Sequence, residues 1–126
     1  MDLMNILWVW IGAAIGLVMG AMPGLTVTMT VVLVVSLTFG WDMMQALAFI
    51  LGSFTGAVTG GSLSAITMNI PGTAAAVATT FDGYPLHRLG KTPDAISTAF
   101  FVSLIGGVCG SLVLAVLGPA LGAVAL

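Results

Sequence analysis

The chain has 126 residues, of which 60% are hydrophobic, and its mean hydropathy is +1.23. Only four Asp or Glu and two Lys or Arg are present, 5% of the chain, whereas charged residues make up about 25% of an ordinary soluble domain. This composition excludes a soluble domain and predicts an all-α polytopic membrane protein. The net charge of -2 excludes the basic surface that nucleic-acid binding requires.

The first charge-free stretch, residues 3–41, is long enough for two crossings of a hydrocarbon core about 30 Å thick. Pro23-Gly24 divides it, so we predict spans at about 3–22 and 25–41. The division is either a tight interfacial turn between two helices or a functional break. Both interpretations remain open on the residues alone.

The third span is predicted to begin after Asp42, because an acid three residues before Gln45 is a capping-box pattern. We place this span at 43–60, ending at Gly60-Gly61. Asp42 therefore has a structural interpretation before any functional one.

The stretch after the glycine pair is divided again by Pro71-Gly72. Residues 62–70 and 73–81 would each be about 13 Å long as helix, too short to cross alone. We therefore predict a broken helix or re-entrant hairpin over 62–81, with non-helical backbone that lines a watery cavity or is buried in protein. A proline kink packed against neighbouring helices is the alternative.

Residues 82–94 are predicted to form the polar loop, and they contain both cations, Arg88 and Lys91. The positive-inside rule favours the cytoplasm for this loop. Thr92-Pro93-Asp94 is typical of a helix start, which predicts a last span at 95–118 that Pro119 ends or kinks. The chain thus contains four to five transmembrane or re-entrant segments, and we expect it to be part of a longer protein.

Glycines recur at intervals of four residues in three of these segments, which places them on one helix face and favours close helix packing. The three sets are Gly12, Gly16, Gly20 and Gly24, then Gly52, Gly56 and Gly60, and finally Gly106 and Gly110.

The sequence carries no catalytic triad, zinc motif or phosphate-binding loop, so we expect neither an enzyme nor a metal site. No cation lies within the apolar segments, so an anionic ligand would have to be held by N–H groups of helix N-termini, hydroxyls and amides. The two Pro-Gly segments offer such groups, and broken helices in transporters use them in this way. The predicted substrate-binding residues are Pro23, Gly24, Thr26, Gly60, Gly61, Ser62, Asn69, Pro71, Gly72 and Thr73.

Two polar residues near the second Pro-Gly segment each have two interpretations. Asn69 stands two residues before Pro71, and its buried amide would bond either freed backbone groups or a ligand. Asp82 precedes Gly83, a common turn pair, but it also ends the broken segment and is a possible ion-coupling residue.

Several blocks of this sequence resemble the large membrane subunit of the tripartite tricarboxylate transporters, the TctA family. The blocks are Gly16–Leu25, Leu37–Gly40, Gly60–Ile66, Asn69–Thr73 and Asp82–Pro85. The resemblance covers the chain from about residue 12, but only the N-terminal portion of a subunit several times longer. The chain departs from the family pattern at three positions, Ser36, Thr59 and Ala74.

The resemblance implies a multi-pass secondary transporter of the bacterial inner membrane that takes up organic carboxylates. Its implied partners are a small membrane subunit and a periplasmic substrate-binding protein, and a Na+ or H+ gradient would drive symport. No other cofactor is expected. The alternative, based on the glycine faces, is a helix-packing or assembly module without a substrate site of its own.

Overall fold

A computed structural model describes the backbone of residues 3–125 and, within that range, every side chain except those of residues 120, 121 and 123–125. This part of the chain is all-α, as predicted, and forms five helices: α1 (Leu3–Ala21), α2 (Val27–Leu37), α3 (Met43–Met68), α4 (Ala76–Arg88) and α5 (Thr92–Ala125). Among the described residues, α1, α3 and α5 are long and apolar enough to cross a membrane. The number of crossings stays a prediction.

The contact between α1 and α3 is the most extensive contact between helices in the described chain. Each buried glycine of α1 lies against a backbone carbonyl of α3: Gly12 against Phe49, Gly16 against Ser53 and Gly20 against Ala57. The glycines of α3 do the same in return: Gly52 lies against the carbonyl of Val9, Gly56 against that of Ala13 and Gly60 against that of Leu17.

These pairings show that α1 and α3 run in the same direction, because higher residue numbers in one helix meet higher residue numbers in the other. Two of the predicted glycine faces therefore form one interface in which each backbone occupies the space that a side chain of the other would need. Gly24 is outside it, since α1 ends at Ala21 and nothing lies within 4 Å of a Cβ placed there.

An aromatic cluster lies toward the N-terminal ends of α1 and α3. The Trp8 and Trp41 ring centroids are 4.5 Å apart, and that of Phe49 lies 5.5 Å from Trp41. Asp42 caps α3 here as predicted, because its carboxylate accepts a hydrogen bond from the Met44 N–H at 3.2 Å. Cap and cluster together fix the start of α3 beside α1.

Helix α2 connects these two parallel helices and is shorter than the predicted span of 25–41. It has 11 residues, about 16 Å of helix, and packs mainly on α3. Its C-cap is Thr38, after which Gly40 adopts a φ of +90° in the turn that leads into α3. The turn begins at Thr38, so the predicted span is too long at this end.

The predicted end of the third span at Gly60-Gly61 is wrong, because α3 continues without interruption to Met68. Both glycines are buried: Gly60 faces α1, and Gly61 faces Gly72 and Thr73. Glycine lowers helix propensity by about 1 kcal/mol, but here close backbone packing offsets that cost. Residues 62–68, predicted to belong to a broken or re-entrant segment over 62–81, are therefore the last two turns of α3.

The predicted polar loop 82–94 is also corrected, because residues 82–88 lie inside α4. Gly83 is buried against Ile66 of α3, and a Cβ placed there would lie 2.7 Å from the Ile66 Cγ1 atom. Packing on α3 therefore stabilises the helical conformation of these residues, although Pro85 lies in the interior of α4. Only residues 89–91 connect α4 to α5.

Helix α5 begins at Thr92, as the Thr-Pro-Asp pattern predicted, and continues through Pro119 to Ala125. Of the two predicted effects of Pro119, an end of the helix is therefore wrong and a kink stays a prediction; proline is tolerated within membrane helices. The boundary between two compact units of the chain lies between Ile96 and Ser97. Within the second unit, residues 100–117 are exposed, and nothing lies within 4 Å of a Cβ placed on Gly106, Gly107 or Gly110.

Candidate functional site

The first Pro-Gly segment joins the C-terminal end of α1 to the start of α2. Gly24 has a φ of +97°, a left-handed conformation that glycine adopts without steric cost. Thr26 is the N-cap of α2, and its hydroxyl oxygen accepts a hydrogen bond from the Met29 N–H at 3.3 Å. Pro23, Gly24 and Thr26 are all exposed. Thr26 therefore has a structural role in this segment, whatever else it contacts.

Asn69 ends α3 in a left-handed conformation, with φ 58° and ψ 24°. Asparagine is one of the few non-glycine residues that adopt this conformation with any frequency, commonly at helix C-termini. The side chain is exposed, so the expectation of a buried amide is wrong. The backbone conformation explains the residue type, and substrate binding by Asn69 stays a prediction.

The second Pro-Gly segment leads from Asn69 to the start of α4. Pro71 is exposed, Gly72 is buried and Thr73 is half-buried. The Thr73 hydroxyl oxygen accepts a hydrogen bond from the Ala76 N–H at 3.1 Å. A threonine thus satisfies an N–H group at the start of the helix after each Pro-Gly segment.

Gly72 lies against both α1 and α3. A Cβ placed on Gly72 would be 2.8 Å from the Gly20 carbonyl oxygen, 2.8 Å from the Gly61 Cα and 3.4 Å from the Ser64 Oγ. Gly20 is three residues before Pro23, so the structure brings the second Pro-Gly segment to the end of α1 where the first one begins. The second segment therefore contacts the helix turn that leads into the first, although Pro23 and Pro71 are 48 positions apart in the sequence.

The glycine pair and Ser62 lie within α3 at the same level. A Cβ on Gly61 would be 3.0 Å from the Thr73 Cγ2 methyl. The space beside Gly60 is occupied by the Leu17 carbonyl. Ser62 is half-buried, and its hydroxyl donates to the Val58 carbonyl at 3.3 Å. Of the predicted site residues, Gly60, Gly61 and Gly72 are therefore packed against other backbone atoms.

The hydroxyl groups near the Pro-Gly segments are engaged within their own helices. Ser64, which is 2% exposed, donates to the Gly61 carbonyl at 3.0 Å, as Ser62 does to Val58. A hydroxyl has one proton to donate, and a carboxylate accepts only. Some N–H groups in the first turns of α2 and α4 are bonded as well, because Met29 donates to Thr26 and Ala76 donates to Thr73. An anion at these helix starts would have to use the remaining N–H groups, where the positive end of the helix dipole adds to them.

Asp82 is exposed on α4 rather than in a turn, so the interpretation of Asp82-Gly83 as a turn pair is wrong. The position of Asp82 on a helix does not test its predicted role in ion coupling, which stays a prediction. Among the described residues, no group of three or more His, Cys, Asp or Glu side chains is placed to hold a metal ion.

Gly20 and Ser64 lie against Gly72 but were not among the predicted site residues. The four-residue glycine repeat marked Gly20 as a packing residue, and that signal was correct. Nothing in the local sequence indicates that Gly72 lies on Gly20, because this contact depends on the parallel pairing of α1 with α3.

Comparison with protein families gives a match over residues 6–126 to the tripartite tricarboxylate transporter TctA family. The chain belongs to the TctA family. The match confirms the resemblance drawn from the glycine and proline blocks, and it places the chain among components of a transport system.

One relative is an uncharacterized 52.8 kDa protein in the TAR-I ttuC' 3'region of Agrobacterium vitis. The two sequences are 35% identical over 122 residues, which is 97% of this chain and 24% of the relative. The chain therefore spans about a quarter of the length of this relative. No solved structure shows significant similarity to the chain.

Proposed function

We propose that the chain is the N-terminal part of a permease subunit for uptake of organic di- or tricarboxylates, driven by a Na+ or H+ gradient. TctA membership supports a transport role. The observation that carries the proposal is the contact of Gly72, in the second Pro-Gly segment, with the last turn of α1, which leads into the first Pro-Gly segment. Paired breaks that adjoin one another are the arrangement in which transporters hold substrates with backbone groups.

The chemistry of this region suits a carboxylate. The apolar helices carry no cation, so anion binding depends on backbone N–H groups at the starts of α2 and α4. Thr26 is the N-cap of α2, and the Thr73 hydroxyl accepts from the first N–H group of α4. The exposed Asn69 amide can add a donor at the same end of α3. Asp82 on α4 is the proposed ion-coupling residue.

The proposed setting is a bacterial inner membrane, with a small membrane subunit and a periplasmic substrate-binding protein as partners. The tripartite nature of the family supports both partners. Substrate would pass from the binding protein to the full-length permease, of which this chain supplies five helices.

An uptake experiment with an Asn69 pair tests the proposal. The full-length permease and its two partners are reconstituted, and uptake of labelled di- and tricarboxylates is measured with a Na+ or a proton gradient. Asn69→Gly keeps the left-handed backbone but removes the amide, so we expect it to lower uptake at least tenfold while the amount of inserted protein stays unchanged. If the wild-type permease takes up carboxylate and Asn69→Gly is equally active, Asn69 is not part of the substrate-binding site.

The second candidate, an assembly module without a substrate site, is favoured by one observation. The α5 glycines Gly106 and Gly110 have open space beside them in the described unit, unlike those of α1 and α3. This candidate predicts that Gly106→Leu disrupts the complex and that Asn69→Gly changes nothing. Co-purification of the three subunits distinguishes the two candidates.

A further inference from the structure

The connection between α2 and α3, together with the helix ends beside it, exposes a cluster of large apolar side chains. We call residues 37–44 the apolar turn. Phe39 is 91% exposed, more than any other large hydrophobic residue that the structure describes. Leu37, Met43 and Met44 are exposed as well. Single exposed apolar side chains are common on proteins, but a cluster of this kind marks a surface that contacts a membrane or another protein.

Several polar groups of the apolar turn are paired locally. The buried Thr38 hydroxyl donates to the Val34 carbonyl at 3.0 Å, and the Trp41 N–H donates to the Thr38 carbonyl at 3.0 Å. The Asp42 carboxylate accepts from the Met44 N–H. These groups do not need water as a partner, which is a condition for a turn that lies against lipid.

The apolar turn lies beside an exposed apolar part of α1. The ring centroids of Trp8 and Trp41 are 4.5 Å apart, so the turn is next to the early turns of α1. Leu7 and Trp10 in those turns are exposed. The three tryptophans of the chain are therefore all near this end of α1 and α3. Tryptophan is enriched at membrane–water interfaces, where its ring lies at the level of the lipid headgroups.

Helix length and charge favour lipid over a protein as the partner of this surface. Helix α2 is about 16 Å long, so its two ends cannot both project beyond a hydrocarbon core about 30 Å thick. Asp42 is the only charged residue of the apolar turn, whereas protein interfaces have a polar rim. The tryptophans indicate that the end of α2 at the apolar turn is the one that lies at a boundary of the bilayer.

We propose that the apolar turn is a membrane anchor: Phe39 contacts the acyl chains of a phospholipid leaflet, and Trp41 and Asp42 lie at the level of its headgroups. The apolar turn contains no cation that would select anionic lipids, so zwitterionic phospholipid is sufficient. The anchor does not depend on the substrate proposed above, and its test requires no uptake.

Spin labels on the full-length permease test the anchor. Every cysteine, Cys109 included, is replaced by alanine, and Phe39→Cys or Met43→Cys is labelled with a nitroxide in phosphatidylcholine vesicles. Molecular oxygen concentrates in the hydrocarbon, whereas a polar nickel chelate stays in water. The ratio of oxygen to nickel collisions, measured by electron paramagnetic resonance, therefore reports contact with lipid. The second label position shows whether the loss of the Phe39 ring itself changes the result.

Leu89→Cys is the matched control. Leu89 is 73% exposed in the connection from α4 to α5, but Arg88 and Lys91 flank it. We expect the collision ratio at positions 39 and 43 to exceed that at position 89 by roughly threefold or more, because the cations keep the control position in water.

The same labels are measured again after the small membrane subunit and the substrate-binding protein are added. A high ratio at positions 39 and 43 that the partners leave unchanged supports the anchor. A ratio no higher than at position 89 overturns it. Few collisions with either reagent in the permease alone also overturn it, since other helices of the permease then cover the turn. Loss of oxygen collisions on addition of a partner overturns it in favour of a protein interface.

Discussion

At the scale of single residues, the polar residues of both Pro-Gly segments have structural roles in the local backbone. Thr26 and Thr73 each accept a hydrogen bond from an N–H group in the first turn of the next helix. Asn69 provides the left-handed residue that ends α3. The sequence marked all three as site residues because they are polar within an apolar chain. It could not separate a capping role from a binding role, since both use the same atoms.

The Thr26 cap gives a direct test. Thr26→Ala removes the acceptor for the Met29 N–H and should lower the stability of the protein by about 1 kcal/mol, whereas Thr26→Ser retains the oxygen and should lose much less. Thermal unfolding of the purified full-length permease compares the two variants. Equal losses for serine and alanine would show that the methyl group, and not the hydrogen bond, is what α2 needs.

At the scale of helices, the glycine pattern predicted close packing but not its partners. The four-residue spacing at Gly12, Gly16 and Gly20 indicates a flat face, and the structure pairs this face with α3 in parallel. The same residue type also predicts a break at Gly60-Gly61, and that prediction is wrong. Packing against α1 and the second Pro-Gly segment keeps the helix intact there, and that information is not local.

A matched pair of leucine variants tests the α1–α3 interface. Gly56→Leu directs a large side chain at the Ala13 carbonyl, so the helices must separate, and overpacking of this kind costs about 1–3 kcal/mol or more. Gly107→Leu makes the same change in the second unit, where none of the described residues lies within 4 Å of an added Cβ. We expect Gly56→Leu to reduce the monodisperse fraction on size-exclusion chromatography severalfold, with Gly107→Leu close to wild type. Similar losses for both would contradict the observed pairing.

At the scale of the whole molecule, the parallel arrangement of α1 and α3 constrains how the chain crosses a membrane. Because these helices lie side by side in the same direction, residues 22–42 must lead back, and α2 runs in the opposite direction between them. Helix α4 then packs near the end of α3, through Gly83 on Ile66, instead of returning along it. If α1, α2 and α3 each make one passage, three passages are predicted before the cations at Arg88 and Lys91.

This arrangement predicts that the two ends of the first unit face opposite sides of the membrane. With Lys91 in the cytoplasm by the positive-inside rule, Asn5 should lie on the periplasmic side, near the aromatic cluster. In a full-length background in which every cysteine, Cys109 included, is replaced by alanine, Asn5→Cys should react with an impermeant maleimide in intact cells, and Lys91→Cys only after the membrane is opened. Labelling of both positions from one side would contradict the three passages.

The close backbone contacts between α1 and α3 also limit how far one helix can slide along the other. Each glycine gap is filled by a carbonyl of the other helix, so a shift by one residue would drive side chains into backbone. The next register that restores the fit is four residues away, about 6 Å along the axis. We therefore expect α1 and α3 to move together as one rigid body in any conformational change of this protein.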